Sequence, residues 1–209
     1  MQPEREKPII GAILAGGESR RFGSPKALAR VHGIPLLWRV SHTVGRAVSE
    51  VVVIARNLDL ETWIGFAVLV DRVPGLGPLG GIDAALRHAA ERRADGVLCV
   101  SCDMPFLSTP LLREIALRGD GVHAVVPESG RGIEPLCAWY PVGARKEVQR
   151  LLASDDRSLR ALLASLETVR MPVDEVRPFG DPEVLFFNVN TPDDLERAGQ
   201  IARQIDASS

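Results

Sequence analysis

Chemistry-bearing side chains gather in four stretches of this 209-residue chain. The first reads Leu14-Ala15-Gly16-Gly17-Glu18-Ser19-Arg20-Arg21-Phe22-Gly23-Ser24-Pro25-Lys26. Gly16 and Gly17, directly after an apolar run, let the backbone turn sharply and bring its N–H groups close to a ligand. Amides presented this way suit phosphate oxygens, and Arg20, Arg21 and Lys26 add fixed positive charge where a polyphosphate would lie. The spacing is not that of a Walker A loop, because Gly17 to Gly23 is one residue too long and no Lys-Ser/Thr follows Gly23. Glycines, cations and a strand-end position together favour anion binding over a merely solvated basic loop.

The second stretch, Asp71-Arg72-Val73-Pro74-Gly75-Leu76-Gly77-Pro78-Leu79-Gly80-Gly81, contains a literal G-x-G-x-x-G at Gly75, Gly77 and Gly80. The dinucleotide fingerprint should follow its strand directly, whereas Asp71 to Pro74 intervene, and Pro78 removes an amide donor. A loop wrapping a nucleotide before a helix that starts near Gly80 fits better. The third, Ser101-Cys102-Asp103-Met104-Pro105, puts a carboxylate at the end of a very apolar run. Opposite a phosphate-binding loop, Asp103 is a natural Mg²⁺ ligand, since magnesium commonly takes one or two carboxylates plus substrate phosphates and water. The bland alternative is an aspartate capping the next turn. In the fourth, Phe186-Phe187-Asn188-Val189-Asn190-Thr191-Pro192-Asp193-Asp194, the two asparagines alternate and so would share one face of a strand. They could orient a substrate or a metal-bound water, although local turn and cap bonding could account for Asn190 without any ligand. No Gly-x-Ser-x-Gly or Ser/His/Asp set suggests a hydrolase.

These stretches need a scaffold, and the apolar patterning supplies one. Strands are expected at Pro8–Ala15, Glu50–Ala55, Phe66–Asp71, Val97–Cys102, His123–Pro127, Leu136–Tyr140, Thr168–Val173 and Leu185–Val189. Helices are expected at Leu36–Val48, Gly80–Arg92, Thr109–Leu117, Val142–Leu152, Ser158–Leu166 and Pro192–Ile205. The last has Thr191 as N-cap and Asp193-Asp194 in its first turn. Strand and helix alternate up to about Leu117, which predicts βαβ units and one α/β domain over residues 1–209, with a mostly parallel mixed sheet and helices on both faces. Residues 1–7 and 206–209 read as flexible ends. Ligands of such sheets bind beyond the C-terminal ends of the strands, where all four stretches fall.

Composition excludes several classes. Lys+Arg 25 against Asp+Glu 27 gives a net charge of −2, so no bulk positive field collects nucleic acid. No apolar run approaches the roughly 18 residues that span a bilayer, and the charged N-terminus does not read as a secretory signal; the expectation is a cytoplasmic protein. Cys99-x-x-Cys102 lies in a strand where residues three apart face opposite ways, so the two thiols are expected in the core rather than on a metal.

Taken together, LAGGESRRFGSPKAL, VDRVPGLGPLGG, CDMPFL, EPLCAWY and FFNVNTPDDL resemble the molybdenum cofactor guanylyltransferases, in family order from Leu14 to Leu195. The resemblance implies a fold of the nucleotide-diphosphosugar-transferase type and transfer of GMP from GTP onto molybdopterin. It implies that Leu14, Ala15, Gly16, Gly17, Gly77, Gly80 and Gly81 surround the nucleotide and that Asp71 lies by the nucleoside. Arg20 or Arg21, with Lys26, would hold the triphosphate, and Asp103 would bind Mg²⁺. Asn188, Asn190 and Arg157 would lie on the acceptor side, and the finished cofactor would pass to a biosynthetic or molybdoenzyme delivery protein. Pro25 departs from the aspartate usual in guanylyltransferases and matches cytidylyltransferase relatives, so the pattern carries a CTP expectation beside the GTP one. A non-catalytic nucleotide-binding relative is the reading from another functional class.

Overall fold

A computed structural model describes residues 7–16, 26–55, 65–70 and 76–208. Its framework is one mixed sheet in which β1 (Ile10–Leu14) is paired in parallel with β4 (Glu50–Ala55) on one side and β6 (Gly96–Ser101) on the other. Beyond β4 lies β5 (Ala67–Val70), again parallel. Beyond β6 comes β9 (Cys137–Pro141), antiparallel both to β6 and to β7 (Ala124–Ser129), and β10 (Thr168–Met171) closes that edge parallel to β7. The order is therefore β10-β7-β9-β6-β1-β4-β5, with the short β8 (Gly132–Ile133) folded back on β7. The expected α/β class with a mostly parallel mixed sheet is what forms.

Both faces of the sheet are covered, which is why its strands read as continuous apolar runs. Alternate residues divide cleanly: Leu98 and Val100 of β6 face α1 (Leu36–Gly45) and α3 (Thr109–Arg118), whereas Val97 and Cys99 face α2 (Gly77–Glu91), α4 (Arg145–Leu152) and α5 (Leu159–Ser165). Two glycines set the approach of the helices to β1. A Cβ on Gly11 would come within 2.5 Å of Val44 on α1, and one on Gly81 of α2 would stand 3.0 Å from Leu14. The same division separates the thiols. Cys99 and Cys102 belong to opposite faces, and all three cysteines are free and buried. A third, smaller cluster joins α8 (Pro192–Ser208) to the hairpin of β2 (Arg30–Val31) and β3 (Ile34–Pro35) through Val31, Leu36, Phe106, Val189, Ala198 and Ala202. Among the described residues, no helix is long and apolar enough to cross a membrane.

Four local expectations are corrected. Leu185–Val189 is not a strand: Asp181 accepts from the backbone N–H of Glu183 at 3.0 Å and Pro182 follows, so a short helix, α7 (Pro182–Leu185), forms first. The Asp-Pro start signal outweighed the apolar run behind it. A further short helix, α6 (Val173–Val176), follows β10 and was not foreseen. Helix α2 begins at Gly77 rather than near Gly80, and Pro78 falls in the first turn, where its missing N–H costs nothing. Helix α8 runs on to Ser208, and its Asp206 reaches within 3.5 Å of His32.

Candidate active site

The C-terminal ends of β1 and β6 lie side by side, with the Cys102 N–H donating to the Leu14 carbonyl at 3.2 Å. Ala15 continues the ladder to the Ile54 carbonyl at 2.8 Å, and the chain then leaves the sheet at Gly16. It is next described at Lys26, which opens a short 3-10 turn over Lys26–Leu28, closed by the Ala29 N–H on the Lys26 carbonyl. This turn brings Lys26 back over the end of β6. Its ammonium donates to Asp103 Oδ2 at 2.6 Å and to Asn190 Oδ1 at 2.8 Å. The Lys26 and Asp103 side chains are only 17% and 16% exposed.

Asn190 arrives by a separate route. After α7 the chain passes the end of β6, where the Val189 N–H donates to the Asp103 carbonyl at 2.9 Å. It then enters α8 through a reciprocal cap. The Asp194 N–H donates to Thr191 Oγ1 at 3.1 Å, while Asp194 Oδ2 accepts from the N–H groups of Asn190 and Thr191, both at 2.9 Å. Thr191 is thus the N-cap, as its position predicted. Burial pushes the Asp194 carboxyl up, but the N–H groups donating to it outweigh burial and hold it below the ordinary carboxylate value.

One atom of this constellation stands out. Asp103 Oδ1 is buried and, among the described residues, has no hydrogen-bond partner. An unpartnered buried carboxylate oxygen is costly unless something positive completes it. With Oδ2 taken by Lys26, the free oxygen has the chemistry of a divalent-cation ligand. No group of three or more His, Cys, Asp or Glu arranged to hold a metal ion exists among the described residues, which suits a cation that relies on one or two carboxylates and the phosphates of its substrate.

The remaining expected residues fall as follows. Leu14 is buried, and Ala15 and Gly16 are half-buried at the strand end. Gly77 is exposed, with a φ of +63° that favours glycine. Gly80 and Gly81 are buried within α2, where Gly81 packs on Leu14. Gly17, Arg20, Arg21 and Asp71 lie outside the described residues. Asn188 turns its side chain to its own chain, donating from Nδ2 to the Phe186 carbonyl at 3.1 Å. It lines, with Asn190, a cleft of about 450 Å³ that also involves Arg131, Phe187, Asp194 and Arg197. Asn188 and Asn190 thus share a cleft wall, although not the strand face expected of them. Arg157 is exposed in the loop between α4 and α5, its Nε on the Ser154 carbonyl at 3.2 Å, and the structure shows no contact between it and Lys26, Asp103 or Asn190.

Sequence reading missed Arg131, Phe187 and Arg197 as cleft residues. Arg197 carried a faint signal: with Asp194 and Ile201 it repeats at helical spacing along one face of α8, and its guanidinium stands 5.4 Å above the Phe187 ring. Arg131 carried none, because the β7–β8 hairpin that delivers it is too short to show a pattern.

The family model described as a MobA-like NTP transferase domain matches residues 11–169. A protein of Rhodobacter capsulatus named molybdenum cofactor guanylyltransferase is 36% identical over 94% of this chain and 97% of its own. One of the same name from Cereibacter sphaeroides is 34% identical over 94% of this chain and 98% of its own. Among solved structures, molybdopterin-guanine dinucleotide biosynthesis protein A from Archaeoglobus fulgidus superposes with a TM-score of 0.79 at 30% identity, covering 94% of this chain and all of that one. The family model spans most of the chain and these relatives match it over nearly its whole length, so the chain belongs to the MobA-like NTP transferase family.

Proposed function

We propose that this protein transfers GMP from GTP onto molybdopterin and releases pyrophosphate. The observation that carries the reading is Asp103, with one oxygen on Lys26 and the other buried and, among the described residues, unpartnered near the end of β1. The names of relatives matching nearly the full length support guanylyl over cytidylyl transfer, so Pro25 is a tolerated departure within a GTP enzyme. A non-catalytic binding module is less well supported, because nucleotide binding alone gives no reason to bury a half-satisfied carboxylate.

A terminal phosphate of the acceptor attacks the α-phosphorus of GTP. One P–O bond forms there, the bond to the β-phosphate bridge breaks, and pyrophosphate carries the electron pair away. The attacking phosphate is already ionised near neutral pH, so the reaction needs no strong general base. That agrees with a site of cations and one carboxylate. The work left to the protein is positioning and charge neutralisation. Lys26, fixed between Asp103 and Asn190, presents a positive charge whose place is set before substrate arrives. The backbone after β1, with Arg20 or Arg21, receives the triphosphate, and the nucleoside lies toward Asp71 and the start of α2. Mg²⁺ held by Asp103 Oδ1 would neutralise phosphate charge as pyrophosphate departs. The cleft along Asn188 and Asn190 takes the acceptor. The reaction is placed in the cytoplasm, and the product then passes to a cofactor-biosynthesis or molybdoenzyme delivery protein.

The test is equilibrium binding of GTP, CTP, ATP and UTP, each with and without Mg²⁺, followed by product analysis with molybdopterin. The expected result is Mg²⁺-dependent preference for GTP and formation of the guanine dinucleotide with one pyrophosphate per turnover. Preference for CTP would move the activity to cytidylyl transfer, and tight GTP binding without product would favour the binding-module reading.

A further inference from the structure

The segment Phe186–Asn190 carries both site asparagines yet lacks the ladder of hydrogen bonds that would hold a strand in register. Among the described residues, three hydrogen bonds reach it from outside the helix ends that bracket it. The Val189 N–H meets the Asp103 carbonyl, and Asn190 meets Lys26. The third comes from the β7–β8 hairpin: Arg131 donates from a guanidinium nitrogen to the Phe186 carbonyl, the same oxygen that accepts from Asn188 Nδ2.

The hairpin that carries Arg131 is braced for this reach. Ser129 Oγ donates to Glu134 Oε1 at 2.6 Å and accepts from the Arg131 N–H at 3.1 Å. Glu134 is buried, and its carboxyl lies 3.7 Å from the Arg131 guanidinium. At the tip, a Cβ on Gly130 would stand 2.6 Å from Glu183 Oε1, so hairpin and α7 are in direct contact.

We propose that Arg131 is a positioning residue that latches the β7–β8 hairpin onto the Phe186–Asn190 segment and thereby sets Asn188 and Asn190 on the acceptor side of the site. The assignment rests on the guanylyltransferase reading for its kinetic consequence, but the latch itself is a structural claim. A charged donor on a carbonyl is worth about tenfold in an equilibrium constant. Loss of the guanidinium leaves the carbonyl with the Asn188 amide alone, uncouples the hairpin from the segment, and loosens the asparagine wall while Lys26 keeps its bond to Asp103.

The experiment compares wild type, R131A and R131K by hydrogen–deuterium exchange of the peptide spanning 186–190 and by steady-state kinetics with GTP and molybdopterin. R131A is expected to exchange about tenfold faster in that peptide with no change in β1 or β6. It should raise KM for molybdopterin about tenfold and leave GTP affinity within about twofold. R131K, which keeps one charged donor, is expected to recover most of the protection and most of the KM. Unchanged exchange in R131A overturns the latch, and raised KM with unchanged exchange does so by making Arg131 a direct acceptor contact. R131K behaving like R131A overturns it too. If wild type yields no guanine dinucleotide, the proposed activity fails, and the exchange result alone then decides the latch.

Discussion

Lys26 bridges oxygens 77 and 164 residues away along the chain, on Asp103 and Asn190. Each of the three groups is therefore informative when removed. Asp103→Ala takes away the buried carboxylate oxygen and is expected to lower turnover about a hundredfold or more. Titrating Mg²⁺ into the variant checks this, and near-normal activity at saturating metal would remove Asp103 from the role. Lys26→Ala is expected to weaken GTP more than guanosine if, as proposed, its charge serves the phosphates. Equal losses for the two ligands in calorimetry would show that Lys26 only supports the loop. At this scale the sequence was informative where chemistry is local. Gly16, Lys26 and Asp103 could be picked out because a turn, a cation and an isolated carboxylate at strand ends have few other uses. The bond from Lys26 to Asn190 could not, since nothing local to either residue names the other.

The connection from α3 to β7 shows how an element depends on a few atoms. Trp139, on β9, donates from its indole nitrogen to the Asp120 carbonyl at 2.9 Å, and a Cβ on Gly119 would stand 2.4 Å from its ring. Gly119→Ala therefore overpacks a buried tryptophan and should cost about 1–3 kcal/mol, read from the urea midpoint with the slope unchanged. The adjoining turn carries a pH signature. The backbone N–H and ring of His123, with the N–H of Val122, hold the Asp120 carboxyl at about 2 instead of 3.8. A depressed carboxyl contributes stability above its unfolded pKa and loses it as pH falls through the folded one, so this contribution disappears from about pH 3.8 down to about 2. The Asp120 hydrogen bond and charge raise the pKa of His123, whose contribution is in place below its ordinary 6.5 and is lost as pH rises through the raised value. Asp120→Asn should flatten the acid limb of the stability curve. Superimposable wild-type and variant curves between pH 2 and 4 would show that the turn has no such linkage. The helices at Leu36 and Thr109 were legible here from their periodicity and first-turn residues. The turn at Leu185 was not, because an apolar run of that length suits a strand or a buried helical turn equally.

Across the whole molecule, burial decides reactivity. Burial raises all three thiols, Cys102 to about 12, with the nearby Asp103 charge adding to the effect there. A thiol so placed is neither nucleophile nor ready metal ligand. Native protein at pH 8 is expected to leave all three cysteines unmodified by iodoacetamide over hours and to expose three on denaturation, counted by mass spectrometry. Rapid native labelling of Cys102 would mean that the end of β6 opens, and would revise the rigid placement of Asp103.

The sequence by itself determined the α/β class, the two-faced sheet and the ends of β1 and β6, because apolar periodicity and helix-start residues are local properties. It also marked the glycine loop and Asp103, whose meaning depends mainly on what directly precedes them. Tertiary structure decided the antiparallel insertion of β9, the irregular path of Phe186–Asn190 and the meeting of Lys26, Asp103 and Asn190. Those depend on which strands become neighbours, a choice made by burying both faces of one sheet at once, and no short window of residues contains that information.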